Sequence, residues 1–442
     1  MNTPICDFTK NYIKEHPLRL HMPGHKGKNG YEADITEVDG ADSLYAPSGI
    51  IRESEENASL LFGGETFYST EGSSHAIRAM LYLFSLYCAE TGREKKILAG
   101  RNAHKTFTGA AALLDISVSW LYPRAGESYL SCTPDPISLA DRIREENVSA
   151  VYLTSPDYLG VMADIEEISK ICHEKGVLLF VDNAHGAYLR FLSPSLHPLD
   201  LGADVCCDSA HKTLPALTGG AYLHIALSAP KSFSENAKAA LSLFGSTSPS
   251  YLILESLDRL NPYLETEYKG VLSAFLKKAE ETKKRLSEIG YLFWGNEPLK
   301  WTIKTKKYGY EGETLARLLK NENIVCEFYD KDFLVLMLTP DVGEEGLEKL
   351  FLALSSIPKK EEICTIPPAF SKSECALSPH KALFLPRETV KTEEGEGRVL
   401  AEVSVGCPPA VPILGIGERI SKDAVEAFLY YGIEKISVIL GL

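Results

Sequence analysis

The sequence predicts an α/β fold, a mostly parallel sheet covered by helices and followed by a smaller α/β domain. Three observations predict it. Short apolar runs alternate with stretches of helical periodicity from residue 66 to residue 225. Runs such as Val177–Val181 and Ala150–Leu153 are largely apolar, as strands buried on both faces are. Gly72, His104, Asp182 and Ser209 each fall just past the end of such a run, where open parallel sheets bind ligands.

The elements follow in order. An arm opens with a short helix, Phe8 to His16, stopped by Pro17, and continues into the stiff turn His21-Met22-Pro23-Gly24-His25-Lys26-Gly27. A helix from about Arg52 to Phe62 precedes the strand Thr66–Thr70. Glu71-Gly72-Ser73-Ser74 then opens a helix whose core face is Ile77, Met80, Leu81, Phe84 and Cys88. The strand Lys96–Gly100 runs into His104. Ser117–Leu121, the helix Ile137–Asn147, the strand Ala150–Leu153, the turn Ser155-Pro156-Asp157, the helix Ile165–Lys175 and the strand Val177–Val181 keep the alternation. Ala221–Ile225 is a strand, and helical stretches follow around 231–244 and 249–262. A long helix, Gly270 to Ile289, joins this region to the rest. Leu299–Thr305, Glu313–Glu322, Ile324–Tyr329, Phe333–Leu338 and Glu344–Leu354 read strand–helix–strand–strand–helix, the order of a small α/β domain. Ile357–Ala369 is a Pro- and charge-rich linker. The final segment carries Arg398–Val403 and Cys407-Pro408-Pro409-Ala410-Val411-Pro412, a stiff turn. The expected divisions are an arm at 1–65, a large ligand-binding domain at 66–265, a small domain at 266–360 and a C-terminal segment at 361–442.

Composition narrows the function. A net charge of −14 excludes nucleic acid as the main partner, since phosphate backbones need clustered Lys and Arg. The ten cysteines show no metal-ligand spacing, so no metal site is expected, and reduced thiols suit a cytoplasmic protein. No signal peptide and no apolar run of membrane-spanning length is visible, so no membrane partner is expected.

Two stretches carry the chemistry. Asp204–Thr213 is an apolar run ending in Ser209-Ala210-His211-Lys212, and Gly219-Gly220 follows. Lys212, next to a strand end and a histidine, is a candidate Schiff-base lysine. By itself that signal is weak, since most lysines are solvated. Upstream, Val177–Val181 closes on Asp182-Asn183-Ala184-His185. A lysine for the aldehyde and a carboxylate for the pyridine nitrogen are what pyridoxal 5'-phosphate (PLP) requires. Gly72-Ser73-Ser74 at a helix start offers free backbone N–H groups and hydroxyls to a phosphate; the bland alternative is a serine N-cap. His104 either stacks on a flat ring or is a solvated loop histidine.

These residues resemble the PLP-dependent ornithine/lysine/arginine decarboxylases of the aspartate-aminotransferase fold. The resemblance runs from His21 to about Ile420. It rests on the Pro23-Gly24-His25 turn, on Thr66 through Ser74, on the Ser209-Ala210-His211-Lys212 motif, which is fairly specific, and on Pro408–Pro412 with Gly417-Glu418. It implies PLP fold type I with a seven-stranded-type sheet, and it assigns roles. Lys212 bonds the cofactor, Asp182 pairs with the pyridine nitrogen and Ala184 packs under the ring. His104 stacks on the opposite face. Ser73, Ser74 and Ser209 hold the phosphate with Gly72, and His211 sits near the cofactor and the substrate carboxylate. It implies decarboxylation of a small-molecule amino acid, a part in polyamine metabolism, and sites shared between subunits. The chain starts after the amino-terminal wing of the large members, so a homodimer or a dimer of dimers is expected. Departures fall in the pocket: Glu71 where Asn is common, Asp157 where Thr is common, His185 where some relatives carry an aromatic residue, and Cys407 and Ala410 for a Tyr and a Gly. Glu71, Asp157, Asp42 and Glu402 are candidates for the carboxylate that receives the substrate's distal cation. The rival readings are an aminotransferase or carbon–carbon lyase on the same fold, for which Arg398 is a candidate carboxylate grip, and a non-catalytic PLP-binding regulatory protein.

Overall fold

A computed structural model describes residues 1–123, 128–369, 372–403, 405–407 and 411–442. Pro408-Pro409-Ala410 of the tail signature lies outside the described residues. In chain order, α1 (Pro4–Lys14) and α2 (Ile50–Phe62) precede β1 (Glu65–Ser69) and α3 (Ser73–Thr91). β2 (Lys96–Gly100), α4 (Lys105–Leu113), β3 (Ser117–Leu121), α5 (Pro136–Glu146), β4 (Ala150–Thr154), α6 (Ile165–Glu174) and β5 (Leu178–Asp182) alternate. β6 (Val205–Asp208), α7 (Ala210–Thr213) and β7 (Ala221–Ile225) lead to α8 (Lys231–Phe244), α9 (Tyr251–Thr266) and α10 (Tyr268–Glu288). Then come β8 (Phe293–Trp294), β9 (Lys300–Lys304), α11 (Gly312–Asn321), β10 (Phe328–Tyr329), β11 (Phe333–Met337) and α12 (Gly343–Ser355). The tail adds α13 (Pro379–Leu383), β12 (Arg387–Lys391), β13 (Val405–Cys407), β14 (Val411–Leu414), α14 (Lys422–Tyr430) and β15 (Lys435–Ile439).

Contacts divide the chain into two compact units: Met1–Glu94 with Ile165–Leu272, and Lys95–Asp164 with Ser273–Leu442. In the first, the strands run in the order β1-β7-β6-β5. β7 is antiparallel to both neighbours, and β6 pairs with β5 in parallel, with Asp182 opposite Cys207. Every residue of β5, β6 and β7 is buried, which accounts for their unbroken apolar runs. α1 and α2 are both tied to α9 by polar bonds: Asp258 of α9 accepts from the Cys6 N–H of α1 at 2.9 Å and from the Ser54 hydroxyl of α2 at 2.6 Å.

In the second unit β4-β2-β3 is all parallel, with Ala99 opposite both Trp120 and Tyr152. The antiparallel sheet β10-β11-β9-β8 and the helices α11 and α12 form the small α/β element expected after residue 299. The tail packs in the same unit, where Leu400, Ile420, Phe428, Ile436 and Val438 join Leu159 and Val335 in one apolar cluster. Among the described residues no helix is long and apolar enough to cross a membrane.

Most expected elements recur within two or three residues. α1 starts at Pro4 rather than Phe8, because proline at a first helical position loses no helix bond. α9 runs through Pro262 to Thr266; the buried Leu260 and Leu264 on either side outweigh one missing N–H. The expected strand from Ile324 shrinks to Phe328–Tyr329, since Val325 is 87% exposed and buries nothing.

Asp157, a candidate for the substrate's cation, serves its own turn. Its Oδ1 accepts from the N–H groups of Leu159 at 2.9 Å and Val161 at 2.8 Å. Lys300 of β9, itself 2% exposed, donates to the Asp157 carbonyl at 2.9 Å. Burial pushes the Asp157 carboxyl up to about 6, with Ser131, the turn amides and Lys300 pulling only partly against it. A folded pKa above the unfolded one contributes stability that is fully present below the unfolded value and lost as pH rises through about 6. Asp157→Asn removes that loss. Relative to the parent, its stability in denaturant titrations should therefore improve between pH 5 and pH 8, by about 1.5 kcal/mol. A difference that does not change with pH would refute this account of Asp157.

Candidate active site

The first unit gathers most of the expected residues at the carboxyl ends of β5 and β6. β5 ends at Asp182, which is 3% exposed. One of its oxygens, Oδ1, accepts from the Ala184 N–H at 3.2 Å and from the Cys207 thiol at 3.7 Å. β6 ends at Asp208, and Ser209 follows as the cap of α7, the short helix that carries His211 and Lys212.

Lys212 Nζ lies 3.1 Å from His185 Nε2. An amine must shed its proton before it can attack a carbonyl, and an imidazole nitrogen is a suitable acceptor. The sequence marked His185 only as a departure from an aromatic residue. Its place three residues after Asp182, on the turn leaving a buried strand, was the signal available for a working role.

The hydroxyls converge at the start of α3. The Ser209 hydroxyl donates to the Ser73 hydroxyl at 2.8 Å, and Ser74 lies in the same first turn. Gly72, the residue before the helix, has φ +73°, a conformation that side-chain-bearing residues rarely adopt. Its N–H donates to the Gly219 carbonyl at 2.8 Å. Gly219 has φ +99°, and a Cβ there would lie 2.7 Å from the Thr70 carbonyl oxygen, so the Gly219-Gly220 pair lets the two loops meet. The His211 ring, beside Gly72, donates from Nδ1 to the Gly220 carbonyl at 2.9 Å. Burial pushes the His211 pKa down, so the ring is neutral with its proton on Nδ1.

His104 belongs to the second unit. It caps α4, accepting from the Thr106 N–H on Nδ1 at 3.2 Å, which leaves its proton on Nε2 and fixes the ring. Of the other candidates for a cation receptor, Asp42 is taken up by four backbone N–H groups, from Ser43, Ser48, Gly49 and Ile51. Glu402 accepts from the Ser437 N–H and Glu71 from the Ser246 N–H. Among these four carboxylates only Glu71 is exposed.

The first unit therefore offers an amine, a buried carboxylate and a hydroxyl pair at the N-terminus of a 19-residue helix. That donor set fits PLP: an amine for the aldehyde, an anion for the pyridine nitrogen, and hydroxyls with free N–H groups for the phosphate.

Comparison with known proteins agrees. The family model described as Orn/Lys/Arg decarboxylase, major domain, matches residues 3–296. An uncharacterized protein of Bacillus subtilis, YaaO, is 32% identical over 96% of this chain and 93% of its own length. The arginine decarboxylase of the same organism is 27% identical over 96% of this chain and 92% of its own. Among solved structures, the constitutive lysine decarboxylase of E. coli superposes with a TM-score of 0.78 at 18% identity, covering 99% of this chain and 82% of that one. A NifS-like protein, with a TM-score of 0.56, shares the same fold class. The fold is that of PLP fold-type-I enzymes, and the chain belongs to the Orn/Lys/Arg decarboxylase family.

Proposed function

We propose that this protein is a PLP-dependent decarboxylase that converts a basic amino acid (lysine, arginine or ornithine) to the corresponding amine and CO2. The observation that carries the reading is the convergence, within one unit, of Lys212, Asp182 and the Ser73–Ser209 hydroxyl pair. Arginine decarboxylases among the sequence relatives and lysine decarboxylases among the structural ones support the substrate class.

Bound PLP supplies an electron sink for the charge left when the carboxylate departs as CO2. The chain's residues do the rest. Lys212 tethers the cofactor, and His185 accepts the proton that its amine must lose. Asp182, desolvated at the end of β5, favours a proton on the pyridine nitrogen. Ser73, Ser74, Ser209 and the N–H groups at the start of α3 hold the phosphate, and Ala184 packs against the ring. One proton then returns to the α-carbon from Lys212, since the single proton of the His211 ring is held by the Gly220 carbonyl, so that carboxylate and proton exchange one for one.

Purified protein should absorb in the visible when loaded with PLP, and Lys212→Ala should lose the borohydride-reducible link to the cofactor. Labelling at another lysine in that variant would refute the assignment. CO2 release measured across lysine, arginine and ornithine names the substrate, and release from none of them would favour the rival readings, an aminotransferase, a carbon–carbon lyase or a non-catalytic PLP-binding protein.

Asp182→Asn keeps shape and hydrogen bonding but removes the charge. PLP should still bind, while kcat falls by about a hundredfold or more, since the lost interaction strengthens as charge develops. Near-parental turnover would reduce Asp182 to a strand-end residue.

We also propose a homodimer. Leu18, Leu20 and Met22 of the arm are 85%, 83% and 66% exposed, apolar surface that a second copy would cover. Sedimentation of the active enzyme should give at least twice the chain mass, and a fully active monomer would refute it.

A further inference from the structure

Behind the candidate site lies a polar cluster to which the chemistry above assigns no role. Asp208, His197 and His224 are each 0% exposed. His197 Nε2 and His224 Nε2 lie 3.1 and 3.2 Å from the same Asp208 oxygen, Oδ2. The other oxygen, Oδ1, accepts from Asn183 Nδ2 at 2.6 Å. Burial pushes the Asp208 carboxyl up, but His197 and His224 outweigh it, and its pKa ends below the usual carboxylate range. A buried anion is tolerable only when its lone pairs are met by donors, and here three side-chain N–H groups meet them.

The same three side chains could in principle ligate a metal. The ring partners argue otherwise. The Leu199 N–H donates to His197 Nδ1 at 3.4 Å, so that nitrogen carries the lone pair and Nε2 carries the proton. A protonated Nε2 donates to Asp208 and is no ligand. His224 Nδ1 is 2.9 Å from the Thr66 hydroxyl, which can satisfy it in the same tautomer. The cluster is thus a set of hydrogen bonds converging on one charge.

The Asn183 contact makes that charge relevant to the site. Asn183 stands between Asp182 and Ala184. Its N–H donates to the Cys207 carbonyl at 3.0 Å, and its carbonyl accepts from the Gly186 N–H at 2.7 Å. Its side chain fills the turn so closely that a Cβ on Gly186 would lie 2.0 Å from Asn183 Oδ1. Asp208 directly precedes Ser209 and lies four residues before Lys212. One carboxylate therefore clamps two strand ends: the one that presents Asp182 and His185, and the one that presents Ser209 and Lys212.

We propose that Asp208 is the positioning residue of the active site, acting through Asn183 to hold the Asp182–His185 turn in register with Lys212. The proposal rests on the PLP reading above and deepens it. Two variants separate the relay from the cluster. Asn183→Ala cuts the link and leaves the His197–Asp208–His224 bonds whole. Asp208→Asn removes the charge.

Both should still take up PLP. Both should lose at least about half of the visible circular dichroism of the bound cofactor, which reports a ring held at a fixed angle. kcat should fall by about a hundredfold, as a small misplacement costs, while KM moves by no more than about threefold. The double variant should be no worse than the more damaging single one, within about threefold, because both act through one contact. If Asp208→Asn does not fold, Asn183→Ala carries the test by itself. Asn183→Ala with kcat and dichroism within about twofold of the parent overturns the proposal even if it melts lower, because a packing residue would do only that. Multiplying losses in the double variant overturn it too. So does one equivalent of metal, measured by elemental analysis, that is present in the parent and lost in Asp208→Asn. A parent that takes up no PLP sinks the underlying reading instead, whereas a PLP-loaded parent with unaffected variants sinks only the relay.

Discussion

The parallel pairing of β5 with β6 is the constraint on which the site depends. It sets Asp182 opposite Cys207, one residue before Asp208. Parallel neighbours end on the same side, so the turns that leave them emerge together. Everything reactive in the first unit follows from that register: Asp182, Ala184 and His185 on one turn, and Ser209, His211 and Lys212 on the other. A slip of one residue would turn every side chain to the opposite face of the sheet and separate Lys212 from His185. The complete burial of both strands resists such a slip, since it would expose Phe180 or Cys206 to a different set of neighbours.

Much of this was legible in the sequence, and what was legible was local. Val177–Val181 closing on an aspartate, and Ser209 to Lys212 after an apolar run, are patterns of neighbouring residues, and periodicity places them at strand ends. Gly72 and Gly219 could be read as turn glycines. That Gly72 donates to the carbonyl of Gly219 could not, because the contact joins residues 147 positions apart. The buried cluster was missed for the same reason. His197 and His224 stand in unremarkable contexts, and only the fold brings both onto Asp208. Asp157 and Asp42 were misleading for the opposite reason. Each is a carboxylate near a predicted strand end or loop, a plausible cation receptor, yet each is occupied by the N–H groups of its own turn. Side-chain capping by Asp is a local event, but the turn geometry it needs is not written in residue type alone.

The tail shows where pattern reading weakens. β12 alternates exposed and half-buried residues and carries Arg, Glu and Lys, so its apolar signal is faint. It becomes a strand by pairing with β15, Thr389 opposite Ser437, more than forty residues away. In the same unit Arg101, 1% exposed, donates to Glu418 at 2.6 Å and lies over the Trp120 ring at 4.8 Å. Such a pair is costly to desolvate and adds little net stability, but removing one partner strands the other, so it fixes how the tail packs against β2 and β3.

Asp182 and Asp208 show how environment divides labour between residues of one type. Both end buried strands of the same sheet, and both lie close enough to Cys207 to raise its thiol pKa, after burial itself. Asp208 is met by three side-chain donors, from two histidines and an asparagine, so its charge is spent inside the protein on holding the fold. Asp182 ends the neighbouring strand, where the Ala184 N–H of its own turn and the Cys207 thiol of β6 approach its Oδ1 at 3.2 and 3.7 Å. In the proposed function, position in the sheet rather than residue type sets the two roles: the turn after β5 brings Asp182 to the cofactor, and Asp208 holds the frame behind it.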